Sequence, residues 1–505
     1  MLSTLIWVPV LGAALVGFWP GSMAASRARF LALAIASSLI VWTVVLFSQF
    51  DISNGGMQFS EFVPWIDTLG LNYFLGVDGL SLPLLALTGL LTWIAIYSSG
   101  ESVARPRLYY ALILLVNAGV VGSFVAQNLL LFVLFYELEL IPFYLLIAIW
   151  GGTPRREYAA MKFLLYTAVS GILIIAAFLG LTWLSGSATF DYKSIITAGL
   201  PLTTQLILLT MLLVGFGIKI PLVPLHTWLP DAYVEASPPV AILLGGVLAK
   251  LGTYGLVRFG LGLFPETWAL VAPGLAILGA ISAVYGALSA IAQKDIKRMV
   301  AYSSIGHMGY VLLGAAAATQ VALVGAVSQM VAHGLILAIL FHLVGVIETK
   351  VGTRELDVLN GLMSPIRGLP LTSALLVLGG MASAGIPGMA GFVAEILVLQ
   401  GSYSVFPLPT LVCVVCTGLT AVYFVILLNR TCFGKLDNDK AYYPTVKLPE
   451  QIPALVLAAV IFFLGLQPTW LVRWSETTTA AMVAAVQVNS EQQLATSINL
   501  STIEK

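Results

Sequence analysis

Glutamates and lysines stand where this sequence is otherwise almost pure hydrocarbon. Glu137 and Glu139 lie in FYELELIPFYLL, Lys219 in GFGIKIPLVPLHTWLPDA, Lys250 in LLGGVLAKLGTYG and Glu395 in AGIPGMAGFVAEILVL. An ionisable group inside a bilayer costs roughly 2.5–3.5 kcal/mol on insertion scales, and its default meaning is an ion or proton path. Burial and a nearby carboxylate pull a lysine's proton affinity in opposite directions, so a carboxylate that moves can load and unload it. The plainer alternatives are static ion pairs for the two glutamates and a snorkelling side chain for Lys219, against which its apolar flanks argue. A helix turns about 100° per residue, so Glu137 and Glu139 point about 200° apart and cannot share one seam.

Histidine suits a relay near neutral pH, and it serves equally well as a fixed hydrogen-bonded group. The four histidines are His226, His307, His333 and His342. His333 and His342 share one span on opposite sides, so at most one of them lines a given path. None has metal-ligand spacing to another. Cys413 and Cys416 form a CxxC inside an apolar run. A reactive thiol needs an exposed, electropositive setting, so this pair reads as packing. Three cysteines build neither a disulfide framework nor a four-thiolate cluster. No dinucleotide or Walker A glycine run occurs, so the chain itself is expected to bind no cofactor and no metal.

The elements that must position these groups are membrane spans. Of 505 residues, 59% are hydrophobic and 9% charged, with 23 basic against 23 acidic side chains. Soluble domains carry about 25% charged residues, so a water-facing globule is excluded. Zero net charge leaves no nucleic-acid footprint. A span needs about 20 apolar residues. Fourteen such stretches lie near 2–19, 29–49, 79–99, 108–126, 128–150, 158–185, 203–222, 238–262, 267–291, 299–318, 320–347, 370–402, 407–429 and 452–474. The first lacks the basic flank and cleavage site of a signal peptide and reads as a helix.

Loop charge checks the count, because cytoplasmic loops carry excess Lys and Arg. Sixteen basic residues fall after odd-numbered spans, including Arg155, Arg156, Lys294, Lys297, Arg298, Lys435 and Lys440. Four, Lys193, Arg258, Arg473 and Lys505, fall on the other side. Both termini are therefore expected away from the cytoplasm. Segment 50–78 has no Lys or Arg and reads as an external loop turning at Asn54-Gly55-Gly56. The tail after Trp474 is left open between a surface helix and a frayed end.

Pro221 and Pro224 predict a broken seventh span beside Lys219, and Pro387 among Gly385, Gly388 and Gly391 predicts a broken twelfth beside Glu395. No break is expected at Lys250. Interrupted helices in matching positions mark inverted repeats. The two broken spans are five apart, which predicts units of five helices. The fold expected is all-α and polytopic, with two inverted five-helix repeats. The chain divides into 1–107 (spans one to three), 108–262 (first repeat), 263–430 (second repeat) and 431–505 (last span and tail).

The runs KIPLVPLHTWLPDAYVEA, FYELELIPFYLL, DIKRMVAYSSIGHMGYV and GIPGMAGFVAEILV resemble the proton-pumping antiporter-like membrane subunits of complex I, over about spans three to thirteen. Glutamate at 395 is similar to the subunit 4 branch of that family, and ELEL to its cyanobacterial and plastid form, found in the photosynthetic NAD(P)H dehydrogenase-like complex. The resemblance implies that Glu137 is the carboxylate partner of Lys219, the proton-accepting lysine of the first broken helix. It implies that Lys250 is the central lysine, Glu395 the exit-side carboxylate, and His307 and His333 polar groups near the axis. It further implies plastoquinone and iron–sulfur clusters in partner subunits, with antiporter-like and quinone-module subunits as partners, in a thylakoid membrane. Tyr136 replaces a common Trp and Tyr233 a common His. With His342 and the cysteine pair these departures point to the carbon dioxide-uptake variant. A sodium/proton antiporter subunit, a non-pumping scaffold and a solute carrier are the competing readings.

Overall fold

The structure is a computed structural model that describes residues 1–21, 23–100, 103–152, 154–197, 199–433 and 442–484. Lys435, Lys440 and Lys505 lie outside the described residues. Ten helices are long and apolar enough to cross a membrane, among them Leu129–Trp150, Leu202–Lys219, Pro238–Leu261 and Gln320–Val351. Leu2–Gly17, Leu82–Ser98 and Ile296–Ala317 add three spans, and Pro370–Ser383 with Ala390–Tyr403 adds one in two halves. These fourteen match the fourteen read from hydropathy. The last ends earlier than expected, at Leu466, because Gln467-Pro468 breaks it before a further helix over 469–484.

Local chemistry sets the helix starts. Pro106, Pro238, Pro265, Pro370 and Pro407 open their helices, where a missing N–H costs nothing. Asn128, Asp295 and Thr319 cap theirs, Asp295 accepting from the amides of Lys297 at 2.8 Å and Arg298 at 3.1 Å.

Burial grades inward from the lipid. In the most apolar window of Pro238–Leu261 every residue is buried, against 28% in Ala25–Gln49. The lysine-bearing span is thus the centre of the molecule. Exposed Phe30, Leu165, Ile172, Val415 and Val425 make the apolar rim. Close backbone approach at two glycines fixes the centre. An ideal Cβ on Gly334 would sit 2.9 Å from the Gly246 carbonyl, so spans eight and eleven touch backbone to backbone.

One feature departs from a purely helical reading. Segment 50–78 folds into an antiparallel hairpin, Gln58–Ile66 against Leu71–Val77. The helix over 469–484 then clasps it: the Gly79 amide donates to Thr478 Oγ1 at 3.0 Å, and Thr477 Oγ1 to the Ile52 carbonyl at 2.6 Å. At the other edge, the Glu61 carboxylate accepts from the Met1 ammonium, Ser3 and the Leu2 amide, the last at 2.6 Å.

Candidate functional site

The first half of span seven ends at Lys219 because Pro221 offers no N–H to continue the ladder. The ammonium therefore sits at the negative end of a helix dipole. It donates to Glu139 Oε1 and lies 3.3 Å from the centroid of the Tyr136 ring. Lys219 and Glu139 are 1% and 0% exposed, so the pair is sealed from solvent. Gly119 lets span five approach: an ideal Cβ there would stand 3.3 Å from the Glu139 amide.

This corrects the expectation that Glu137 partners Lys219. Span five is interrupted at Glu139, between Leu129–Leu138 and Leu140–Trp150, and that residue turns inward. Glu137, about 200° around the helix, is half-buried with its carboxylate over Gly171 of span six. Among the described residues it makes no ion pair.

Lys250 corrects a second expectation, since its span is broken after all. π-helical turns, Leu244–Leu248 and Leu256–Leu261, flank the short helix Ala249–Gly255 that carries it. Such turns cluster at functional sites because they redirect carbonyls out of the ladder. Lys250 Nζ donates to the Gly245 carbonyl at 2.6 Å and lies 2.8 Å from His333 Nδ1. The close approach at Gly246 and Gly334, one residue from His333, brings this pair together.

From His333 the row continues. The His307 ring is 5.4 Å away, centroid to centroid. Its Nε2 is 3.0 Å from Ser383 Oγ, and its Nδ1 is 3.4 Å from Glu395 Oε1 and 3.3 Å from Gln329 Nε2. Glu395 lies in the second turn of Ala390–Tyr403, near the positive end of that half-helix. Thr417 Oγ1 stands 3.4 Å from its Oε2 and 2.9 Å from the Tyr310 hydroxyl.

The structure thus brings Lys250, His333, His307 and Glu395 into one buried row, and Lys219 with Glu139 into a separate pair. No hydrogen bond joins the two groups among the described residues. Spans seven and eight, which carry Lys219 and Lys250, nonetheless touch: an ideal Cβ on Gly252 would be 2.9 Å from the Ile220 amide. His226 packs on Tyr285 at 4.6 Å, and His342 binds the Glu450 carbonyl at 2.8 Å, so both lie off the row. Cys413 and Cys416 are buried free thiols. No group of three or more metal-ligating side chains occurs among the described residues, so nothing in them fits an iron–sulfur cluster.

One buried pair escapes sequence reasoning. Arg258, assigned to the far-side loops by charge counting, is 4% exposed inside span eight and donates to Asp78 Oδ2 at 2.5 Å. Nothing local announces a contact between residues 180 positions apart. A lone Arg in an apolar run was the available signal.

The fold and this row of buried charges define a polytopic antiporter-like membrane subunit. Residues 126–420 match the transmembrane model of the NADH:quinone oxidoreductase/Mrp antiporter family, and the chain belongs to that family. It is 40% identical to NAD(P)H-quinone oxidoreductase chain 4 1 of Synechococcus sp. (strain JA-3-3Ab), over 96% of this chain and 93% of that one. It is 39% identical to NAD(P)H-quinone oxidoreductase chain 4 2 of Thermosynechococcus vestitus (strain NIES-2133 / IAM M-273 / BP-1), over 96% and 92%. A chain of respiratory complex I from Thermus thermophilus superposes with TM-score 0.87 at 28% identity, over 96% of this chain and all of that one. A chain of the Mrp complex from Dietzia sp. shares the fold, with TM-score 0.85 at 22% identity over 96% and 99%.

Proposed function

We propose that this chain is a proton-translocating membrane subunit of a complex I-like NAD(P)H- or ferredoxin-driven plastoquinone oxidoreductase, and that it contains no redox centre of its own. Relatives about 40% identical over nearly the whole chain carry the name NAD(P)H-quinone oxidoreductase chain 4. The observation that carries the reading is the sealed row Lys250–His333–His307–Glu395 with its companion pair Lys219–Glu139. Electrons travel in partner subunits. A proton taken up from the cytoplasm loads Lys250, passes along the histidines to Glu395, and leaves on the far side when the Lys219–Glu139 pair shifts. Groups this close titrate as a set.

The two five-helix units are part of the proposal. In each, the charge on the broken helix faces a titratable group two spans earlier: Lys219 of span seven meets Glu139 of span five, and Glu395 of span twelve meets His307 of span ten. That repeated pairing supports spans 4–8 and 9–13 as inverted repeats. Basic loops on the cytoplasmic side and termini toward a thylakoid lumen complete the arrangement. The departures at Tyr136 and Tyr233 support the carbon dioxide-uptake variant, with other antiporter-like and quinone-module subunits as neighbours.

The test is Lys219→Ala in the assembled complex, with protons released per electron as the readout. A lower ratio with quinone reduction retained is expected. An unchanged ratio rejects the role of Lys219, and sodium efflux without quinone reduction supports the antiporter reading instead.

A further inference from the structure

Loading Lys250 requires a route from the basic-loop side, and several buried or half-buried polar groups stand on that side. At the surface end stand Glu235, half-buried at the end of the short helix Trp228–Glu235, and Lys297, 2% exposed in the first turn of Ile296–Ala317. A cation at a helix N-terminus is disfavoured, and Lys297 makes no ion pair among the described residues. Its ammonium donates to the Ala236 carbonyl at 2.6 Å, within the fields of Glu348, Asp295, Glu235 and Arg354. Seven residues further along span ten, on the same face, is Ser304. It is fully buried, and its Oγ makes no hydrogen bond although the Tyr233 hydroxyl is near.

Tyr233 supplies the next step. Its hydroxyl donates to the Leu244 carbonyl at 3.0 Å, the first residue of the π-helical turn. The adjacent carbonyl, Gly245, is the one that holds Lys250 Nζ. An ideal Cβ on Gly245 would sit 3.3 Å from the Tyr233 ring, so the ring covers the approach to the lysine.

We propose that Tyr233 and Ser304 form the inner gate of a proton-loading half-channel that runs from Glu235 and Lys297 to Lys250. This rests on the reading of Lys250 as a proton carrier. Held on the Leu244 carbonyl, the tyrosine hydroxyl closes the route; swung toward Ser304, it opens it. In loading, the lone pair of a neutral Lys250 takes one proton. Each hydroxyl that gives its proton takes one from the group behind it, with water as carrier between groups not in contact. The carboxyl of Glu235 makes good the last and is recharged from the aqueous side. One proton moves inward and no oxygen of the file is left charged.

The test is Ser304→Ala in the assembled complex. The removed oxygen has no neighbour to bond but the Tyr233 hydroxyl, so a purely structural role predicts little change in assembly or melting temperature and none in protons per electron. The gate predicts normal assembly and quinone reduction, several-fold slower proton uptake in single turnover, and rescue by Ser304→Thr. Tyr233→Phe should act alike and Tyr233→His should restore uptake. Native uptake kinetics in Ser304→Ala overturn the gate. Lys250→Met, run alongside, separates the two failures. If it loses pumping while Ser304→Ala does not, only this route is wrong; if it also pumps normally, the carrier reading falls with it.

Discussion

At the scale of single residues, the partition of Glu137 and Glu139 is decisive. Removing one member of a sealed ion pair leaves the other charge buried and unmatched, at about 3–5 kcal/mol. Glu139→Gln should therefore lower the melting temperature of the purified complex and its proton yield together. Glu137→Gln should move the melting temperature less, since among the described residues Glu137 holds no ion pair to break. Equal effects from the two substitutions, seen by differential scanning calorimetry, would contradict the geometry. The sequence could not make this choice. Both glutamates stand in the same apolar run, and only the turn at Glu139 decides which one faces Lys219.

Among the elements, the broken helices were legible and the π-helical turns were not. Proline has one physical meaning inside a helix, so Pro221 and Pro387 announced their breaks. The turn at Leu244–Leu248 contains no proline, and its glycines are equally common in regular spans. Its cause is tertiary: Gly246 and Gly334 meet, and span eight accommodates the contact. Gly334→Ala, whose new methyl meets the Gly246 carbonyl, should push Lys250 from His333 and cost about 1–3 kcal/mol of overpacking. Reduced proton yield is expected in this variant and not in Gly274→Ala, whose methyl meets nothing within 4 Å. The hairpin gives a pH test. Burial pushes the Glu61 carboxyl up, but hydrogen bonds from the N-terminal ammonium and Ser3 outweigh it and hold it below its usual range. A depressed carboxylate contributes stability above its unfolded pKa and loses it as pH falls through the folded value. Amide exchange at Leu2 and Ser3 should thus accelerate, relative to the chemical rate, as pH drops below the usual carboxylate range. Flat protection through that range would rule out the contribution.

On the scale of the whole molecule, hydropathy and loop charge were enough for span number, because both average over many residues. Contacts between distant segments were not: Arg258 with Asp78, or the buried row itself, exist only once fourteen helices are in place. The fold is shared with an Mrp chain, so ion identity must come from the site. Its groups are titratable nitrogens and carboxylates, the chemistry that the proposed proton transfer requires. No group of three or more His, Cys, Asp or Glu side chains that could hold a metal ion occurs among the described residues. Replacing sodium by potassium should therefore leave quinone reduction and proton yield unchanged, as a pH-sensitive dye in sealed vesicles would report. A strict sodium requirement would overturn that assignment.

The clasp of Thr477 and Thr478 on Ile52 and Gly79 bears on how the molecule is made. A ribosome releases residue 52 long before residue 477, so the hairpin must wait, unlatched, through the synthesis of some twelve further helices. Closure of that latch can follow only after every span between the two segments has been made, and a nascent chain stalled before position 477 would present an open hairpin to whatever proteases patrol that face of the membrane.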